Sequence, residues 1–164
     1  MKCYLIRHAD AVPLGDAGIL DDASRPLNSK GEAQCKLVGE GLARCGIRLD
    51  IVLTSPLLRA RQTADGMVKH LSQPPPEVRE CEELAPGGKR RKLARQIKDL
   101  GKESVGLVGH QPDLGVFASW LAGSKKAQID FAKAGVACID FENSFGKGEG
   151  KLIWLVTPEW FKQG

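Results

Sequence analysis

Short apolar runs alternate with longer amphipathic stretches along the chain. Residues 3–6, 50–54 and 104–108 form apolar runs that are too short for helices, and this pattern predicts three buried strands. Two later apolar runs, residues 136–141 and 152–156, are separated by a glycine-rich connection that suits a hairpin. The chain is therefore expected to form five strands.

Between these runs, apolar residues recur at helical spacing. They predict four helices, over residues 29–45, 55–71, 89–100 and 114–122. Ser29 and Glu32 have the spacing of a capping box, so the first helix is expected to begin there. Ser55 followed by Pro56 predicts an N-cap and a proline at the first helical position of the second helix.

The alternation of strands and helices predicts an α/β fold. We expect one domain over residues 1–164, built as a three-layer α/β/α sandwich around a mostly parallel central sheet. Ligands of such folds bind beyond the carboxyl ends of the strands. Residues 9–28 contain prolines, glycines and several aspartates, which predicts a long loop after the first strand, in a position to line a site.

The composition is that of an ordinary globular protein. Hydrophobic residues make up 42% of the 164 positions, which is enough for one core, and the net charge is +4. That charge suits an anionic substrate but is also common in proteins that bind no polyanion. No apolar run reaches the roughly 20 residues that a membrane helix requires, and Met1 leads directly into a strand-like segment. A cytoplasmic protein without membrane contact is predicted.

The five cysteines are odd in number and widely spaced, and they form no C-x-x-C pair or Cys/His cluster. This pattern indicates a reduced interior in which they act as small apolar residues in or near the core. It predicts no metal site, and we expect no other cofactor. Core packing is also expected for the three tryptophans, Trp120, Trp154 and Trp160.

Polar residues of catalytic types follow three of the predicted strands. Arg7 and His8 follow the first strand, Arg59 lies in the segment after the second, and His110 follows the third. Taken alone, each of these histidines is more often a structural residue. Together, with arginines at equivalent junctions along one edge of the sheet, they favour a common site.

The chemistry that this combination favours is phosphoryl transfer. A phosphoryl group in transit carries negative charge on its equatorial oxygens, so several fixed donors are needed to hold it. Arginine presents a planar donor fork that stays charged, and a helix N-terminus adds free backbone N–H groups. A neutral imidazole can attack phosphorus and so divide hydrolysis into two easier steps.

Three motifs resemble those of a known family, in order and at suitable separations. They are R-H-A-D at residues 7–10, S-P-L-L-R-A-R-Q-T at residues 55–63 and V-G-H-Q-P at residues 108–112. Together they resemble the signatures of the histidine phosphatase superfamily, whose fold is phosphoglycerate mutase-like. The short chain and the alanine at position 9 make it most similar to the SixA-like phosphohistidine phosphatases.

The resemblance implies a role for each matching residue. His8 would be the nucleophile that becomes phosphorylated, Arg7 and Arg59 would clamp the phosphoryl oxygens, and His110 would complete the pocket. The S-R-P-L segment around Arg25 also resembles the SixA-like branch, which implies a further phosphate ligand. The alternative for this arginine is a solvated position in the loop.

The general acid is an open question in the comparison with the family. Superfamily members that cleave phosphate esters protonate the leaving group, commonly with a carboxylate in the loop after the second helix. Glu80, Glu82 and Glu83 lie in that part of this chain, and Glu83 is the candidate acid, although a packing or loop role for it is expected first. The leaving group of a phosphohistidine is an imidazole that solvent can protonate, so a dedicated acid is less necessary for that substrate.

The resemblance implies a phosphohistidine phosphatase that forms a covalent phosphohistidine intermediate. Its partner would be a phosphorylated protein, such as a histidine phosphotransfer domain or a carrier, and the oligomeric state is left open. Two alternatives remain: a phosphatase of a small phosphate ester on the same fold, and a non-catalytic module that binds phosphate. The basic stretch at residues 89–98 lacks interleaved aromatic residues, so no nucleic acid partner is expected. This stretch is a solvated helix face or a docking surface for an acidic protein.

Overall fold

The computed structural model describes residues 1–162. Within that range, six strands form a single sheet. They are β1 (Lys2–Arg7), β2 (Ile51–Thr54), β3 (Glu77–Glu80), β4 (Ser104–Gly109), β5 (Val136–Phe141) and β6 (Gly150–Val156). Their order across the sheet is β3-β2-β4-β1-β5-β6, which puts β4 and β1 at its centre.

The sheet is mostly parallel. β1 pairs with β4, and β2 pairs with β4 and β3, in parallel, whereas β5 runs antiparallel to both β1 and β6. All strands except β5 therefore point in one direction. The carboxyl ends of β1, β2 and β4 meet at one edge, where Arg7 is paired with Gly109 and Thr54 with Val108.

Within residues 1–162, four α-helices cover the sheet. They are α1 (Ser29–Arg44), α2 (Leu58–Val68), α3 (Arg90–Asp99) and α4 (Asp113–Leu121). Short 3-10 turns lie at Asp16–Gly18, Asp22–Ser24, Glu82–Leu84 and Pro158–Phe161. The buried faces of α1 and α2 belong to one apolar cluster and those of α3 and α4 to another. None of these helices combines the length and the apolar character that crossing a bilayer demands.

Alternate residues of the central strands divide between the two clusters. In β1, Cys3 and Leu5 pack with α3 and α4, whereas Tyr4 and Ile6 pack with α1 and α2. A strand that is covered on both faces is apolar throughout, which explains the short continuous apolar runs in the sequence. The predicted three-layer α/β/α sandwich with a mostly parallel sheet is confirmed.

Two predicted helix caps are wrong. The N-cap of α1 is Asn28, whose side-chain oxygen accepts a hydrogen bond from the Gly31 N–H, so residues 29–32 do not form the expected capping box. Asn28 has the extended backbone that an N-cap requires. Helix α2 begins at Leu58, three residues after the predicted cap Ser55. The hydroxyl of Ser55 instead contacts a histidine of the site described below.

The edge strand β3 is the part of the sheet that the hydrophobic pattern does not indicate. Its sequence E-V-R-E carries three charged residues, and Val78 is its one partly buried side chain. Charged residues at a sheet edge oppose pairing with another chain, so an apolar pattern is not favoured there. Residues 77–80 pair with β2 although their sequence is typical of a loop.

Two expectations about the core are wrong. Trp160 is 77% exposed, whereas Trp120 and Trp154 are partly buried against the two apolar clusters. Cys45 is exposed, and the other four cysteines are buried and unpaired in the described structure. Cys45 lies at the C-cap of α1, where the chain leaves the helix, and this accounts for its exposure.

Gly39 allows α1 and α2 to approach each other closely. A Cβ atom at this position would lie 2.4 Å from the carbonyl oxygen of Met67 and 2.9 Å from the Cβ of His70. The first of these atoms belongs to the backbone of the facing helix region and cannot move without shifting it. The glycine is therefore required by packing, although alanine is the better helix former by ~1 kcal/mol.

We expect Gly39→Ala to lower the free energy of unfolding by about 1–3 kcal/mol, because overpacking outweighs the gain in helix propensity. Urea denaturation followed by circular dichroism measures this change. Gly146→Ala is the matched control, since a Cβ there meets open space, and its effect should stay within about 0.5 kcal/mol. A Gly39→Ala variant as stable as wild type would show that the two helices do not meet in this way.

Candidate active site

The end of β1 brings Arg7 and His8 to the carboxyl edge of the sheet. The backbone is held from both sides there. The His8 N–H donates to the Gly109 carbonyl at 2.9 Å, and the Arg7 N–H donates to the Gly135 carbonyl at 3.1 Å. The His8 side chain is almost fully buried, with 4% exposed. It therefore leaves the sheet from a backbone that is fixed between two neighbouring segments.

The hydrogen bonds of the His8 ring define which nitrogen is free. Nδ1 lies 2.8 Å from the Ala9 carbonyl oxygen, which can only accept, so Nδ1 carries the proton of the neutral ring. The lone pair is then on Nε2. Two cationic groups face it, the Arg59 Nε and the Lys133 Nζ, each at 3.4 Å. Nε2 is thus a nucleophilic nitrogen surrounded by positive charge.

Arg59 lies in the first turn of α2 and is 5% exposed. Thr63, one turn further along, links this helix to the His8 segment. Its hydroxyl donates to the Arg59 carbonyl at 2.6 Å and accepts from the Ala9 N–H at 2.9 Å. The separation of Arg59 from His8 is therefore fixed through a buried contact between α2 and the loop after β1.

His110 follows β4 and completes the cluster from the other side. Its ring is 3% exposed, and its centroid lies 5.1 Å from that of His8. Nε2 of His110 lies 2.8 Å from the Ser55 hydroxyl, which also accepts from the Leu57 N–H at 3.3 Å. When this hydroxyl donates to Nε2, the proton of the His110 ring is on Nδ1.

Two buried polar atoms of the site have no hydrogen-bond partner among residues 1–162. They are the Arg7 Nε and the His110 Nδ1. The other end of the Arg7 guanidinium is occupied, since Nη1 donates to the Phe131 carbonyl at 2.5 Å. Buried donors are nearly always paired, and an unpaired one calls for a functional explanation. Both atoms belong to residues that could donate to an anionic oxygen.

The site keeps both histidines neutral. Burial, followed by the nearby Lys133 charge, lowers the pKa of His8 to about 3. Burial, followed by the Arg59 charge, lowers the pKa of His110 to about 4. A buried imidazole among fixed cations disfavours its own protonation. His8 Nε2 therefore keeps an unprotonated lone pair at neutral pH.

Asp22 joins Arg25 to the cluster. One of its carboxylate oxygens accepts from Arg25 Nη1 at 2.9 Å and the other from Arg59 Nη2 at 3.0 Å. Hydrogen bonding to Arg25, and then to Arg59, lowers the pKa of Asp22, so the carboxylate is ionised. Arg25 also donates to the Val12 carbonyl at 2.8 Å. The long loop after β1 thus reaches the arginine of α2 through this aspartate.

A profile of the histidine phosphatase superfamily (branch 1) matches residues 3–106, which is more than half of the chain. The chain belongs to this superfamily. The matched segment contains Arg7, His8 and Arg59, and it ends before His110.

Similar proteins cover nearly all of this superfamily member. An uncharacterised protein of Picosynechococcus is 34% identical over 98% of each chain. Phosphohistidine phosphatase SixA of Escherichia coli is 26% identical over 96% of this chain and 94% of its own. A solved structure of the protein histidine phosphatase SixA complexed with tungstate has a TM-score of 0.86 at 26% identity, covering 99% of this chain and 100% of the other. The predicted resemblance to the SixA-like branch is confirmed, and it supports a phosphatase that acts as a hydrolase.

Glu83, the candidate general acid of this histidine phosphatase, is held by α3. Its carboxylate accepts from the Lys89 N–H at 2.8 Å and pairs with Lys92 at 2.5 Å. The contact with Lys92, followed by that with Lys89, lowers the pKa of Glu83. Glu83 lines a small pocket together with His110, but a carboxylate that is held ionised is a poor proton donor. The other two candidates are exposed, and Glu80 pairs with Arg61 at 3.1 Å.

Lys133 and Asp22 are part of the site but were not expected from the sequence. Asp22 is one of several aspartates in the loop over residues 9–28, and no motif distinguishes it. Lys133 lies in the irregular segment before β5. Since β5 is antiparallel to β1, its amino end lies at the carboxyl edge of β1. The place of Lys133 in the site could have been predicted only from the direction of that strand.

The site contains no obvious set of metal ligands. Across residues 1–162, no three His, Cys, Asp or Glu side chains are grouped so that they could hold a metal ion. The groups around His8 Nε2 are instead cationic donors, Arg59 and Lys133. Such donors suit an anionic substrate directly.

We expect His8 and His110 to remain neutral from about pH 8 down to about pH 5, because their pKa values are lowered to about 3 and about 4. Ring ¹⁵N chemical shifts measured by NMR over this range should show no protonation step at either residue. Variants His8→Ala and His110→Ala assign the signals. A protonation step of His8 between about pH 6 and pH 7 would contradict the buried cationic environment described for it.

Proposed function

We propose that this protein is a phosphohistidine phosphatase that removes the phosphoryl group from a phosphorylated protein through a covalent intermediate on His8. One observation carries the proposal. His8 Nδ1 is occupied by the Ala9 carbonyl, and Nε2 faces the Arg59 and Lys133 cations at 3.4 Å. Similarity to SixA over nearly the whole chain supports the same substrate class.

In the first step, donors of Arg7, Arg59 and His110 hold the phosphoryl oxygens while His8 Nε2 attacks phosphorus in line with the leaving nitrogen. The P–N bond of the substrate breaks, and its electron pair stays on the substrate imidazole, which takes a proton from solvent. The His8 ring becomes positively charged. Its Nδ1–H bond to the Ala9 carbonyl strengthens and stabilises that charge.

In the second step, water attacks the phosphorus and His8 Nε2 leaves with the electron pair of the P–N bond. The attacking water gives up a proton to solvent, and inorganic phosphate departs. His8 returns to the neutral tautomer with the proton on Nδ1. No metal ion enters either step, because arginine donors supply the positive charge that the equatorial oxygens need.

The environment of Glu83 favours a phosphohistidine over an ester as the substrate. An ester leaves as an alkoxide and benefits from a positioned acid, whereas an imidazole accepts a proton from solvent. The carboxylate of Glu83 is held by Lys92 and by the Lys89 N–H.

The fixed donors around an intact His8 favour a catalyst over a module that binds phosphate without turnover. Arg25, joined to Arg59 through Asp22, is a further candidate ligand of the phosphoryl group.

The partner proposed here is a phosphorylated protein such as a histidine phosphotransfer domain or a carrier. The location of the protein in the cytoplasm, where such partners occur, stays a prediction from the sequence. The donors of the site would hold the phosphoryl group that such a partner presents.

We expect fast phosphate release from a protein that carries phosphohistidine, and slow release from p-nitrophenyl phosphate measured in parallel. His8→Ala should lower the rate on the first substrate on the order of 10³-fold or more, because the nucleophile is lost. Phosphate release followed by a colorimetric assay measures both reactions. Activity retained in His8→Ala would overturn the proposed mechanism.

Glu83→Gln distinguishes the two substrate classes. We expect it to change release from the phosphohistidine protein by less than about twofold, since no dedicated acid is needed for an imidazole leaving group. The other two candidate acids are tested in the same way with Glu80→Gln and Glu82→Gln. Strong ester hydrolysis that falls in one of these variants would instead indicate a phosphatase of small esters.

A further inference from the structure

The segment that carries Lys133 is attached to the end of β1. The Ala134 N–H donates to the His8 carbonyl at 3.3 Å, and the Arg7 N–H donates to the Gly135 carbonyl at 3.1 Å. The backbone next to Lys133 is therefore hydrogen-bonded to Arg7 and His8. These hydrogen bonds fix the backbone from which the Lys133 side chain extends relative to His8.

The backbone beside Lys133 is strained. Ala134 has a φ of 55°, in the left-handed region that a residue with a Cβ rarely occupies, and its side chain is buried. Such conformations persist where surrounding contacts impose them, and they are frequent at functional sites. The contacts of Ala134 and Gly135 with β1 impose it here.

The ammonium of Lys133 lies 3.4 Å from His8 Nε2 and in the field of three arginines. The carboxylates of the site are paired with other cations. Asp22 pairs with Arg25 and Arg59, and Asp10 pairs with Lys30 at 3.3 Å. A half-buried lysine among like charges is unfavourable unless a bound anion compensates for the repulsion and the lost hydration.

We propose that Lys133 is a catalytic residue whose ammonium binds an equatorial oxygen of the phosphoryl group as it is transferred to His8 Nε2. This inference rests on the proposed function and names one more ligand of the phosphoryl group. In the free protein, the same ammonium hydrogen-bonds to the Nε2 lone pair. A phosphoryl oxygen is the stronger acceptor, so the arriving substrate draws the ammonium away and frees the nucleophile.

The geometry distinguishes this role from that of a proton donor. In an in-line transfer, the attacked phosphorus lies about 3–3.5 Å from the nucleophile, and the leaving atom is on the far side of it. Lys133 Nζ lies 3.4 Å from Nε2, so it is on the nucleophile's side of the phosphorus. It can therefore reach an equatorial oxygen, but the phosphorus separates it from the leaving nitrogen. The bonds made and broken in the transfer are unchanged.

The charge of Lys133 depends on pH near the working range. Burial, followed by the Arg7 charge, lowers its pKa to about 8, so it is cationic below about pH 8 and neutral above. The other charged or titratable groups around it are Arg7, Arg25, Arg59, Asp10, His8 and His110, and the pKa values of the two histidines lie well below this interval. We therefore expect kcat/KM to fall as the pH rises past about 8.

The test compares wild type, Lys133→Met, Lys133→Arg and the matched control Lys125→Met, which removes a charge from an exposed loop position. Two quantities are measured from about pH 6 to about pH 10: kcat/KM on a phosphohistidine protein, and the affinity for tungstate by calorimetry. At about pH 7 we expect Lys133→Met to lower kcat/KM on the order of 10²-fold and to weaken tungstate binding. Lys125→Met should match wild type in both.

The pH profile identifies the role. In Lys133→Met the fall above about pH 8 should disappear, and in Lys133→Arg it should shift beyond the range, because arginine stays charged. Wild-type kcat/KM, pH profile and tungstate affinity in Lys133→Met, with His8→Ala inactive, would overturn the inference and leave the proposed function intact. If wild type releases no phosphate at all, the proposed function fails. Tungstate affinity alone then decides whether Lys133 is an anion ligand.

Discussion

The hydrogen bond between His8 Nδ1 and the Ala9 carbonyl determines what this site can do. It assigns the proton of the ring to one nitrogen and the lone pair to the other. The bond depends on a backbone that cannot shift, and the pairing of β1 with β4 and the contacts with the segment before β5 supply that rigidity. The central parallel strands thus support a single imidazole. The helices on both faces of the sheet exclude water from those strands.

Charge is the second constraint on the site. Cations from four separate segments converge on one small volume: Arg7, Arg25, Arg59 and Lys133. Their mutual repulsion destabilises the fold, and the Asp22 carboxylate offsets part of it by pairing with two of them. A phosphoryl group would offset more. Sites that are costly to the free protein in this way are common in enzymes, because the same charges stabilise the transition state.

Much of the fold could be predicted from the sequence, because buried parallel strands are apolar throughout and helices repeat at their own period. The exception was β3, an edge strand in which three of the four residues 77–80 are charged. The motifs around His8, Arg59 and His110 follow strands whose carboxyl ends meet, so their proximity could also be expected. Lys133 could not be found in this way, since its place follows from the antiparallel direction of β5, which no local pattern encodes.

The position of the phosphoryl group on the enzyme tests the central claim most directly. The protein would be mixed with a phosphohistidine-bearing substrate, quenched within milliseconds at alkaline pH, and examined by ³¹P NMR and peptide mass spectrometry. The account predicts phosphohistidine at His8, bonded through Nε2, because Nδ1 is occupied by the Ala9 carbonyl. Phosphate attached to Nδ1 of His8 or to another residue, or rapid turnover in which His8 is never phosphorylated, would contradict it.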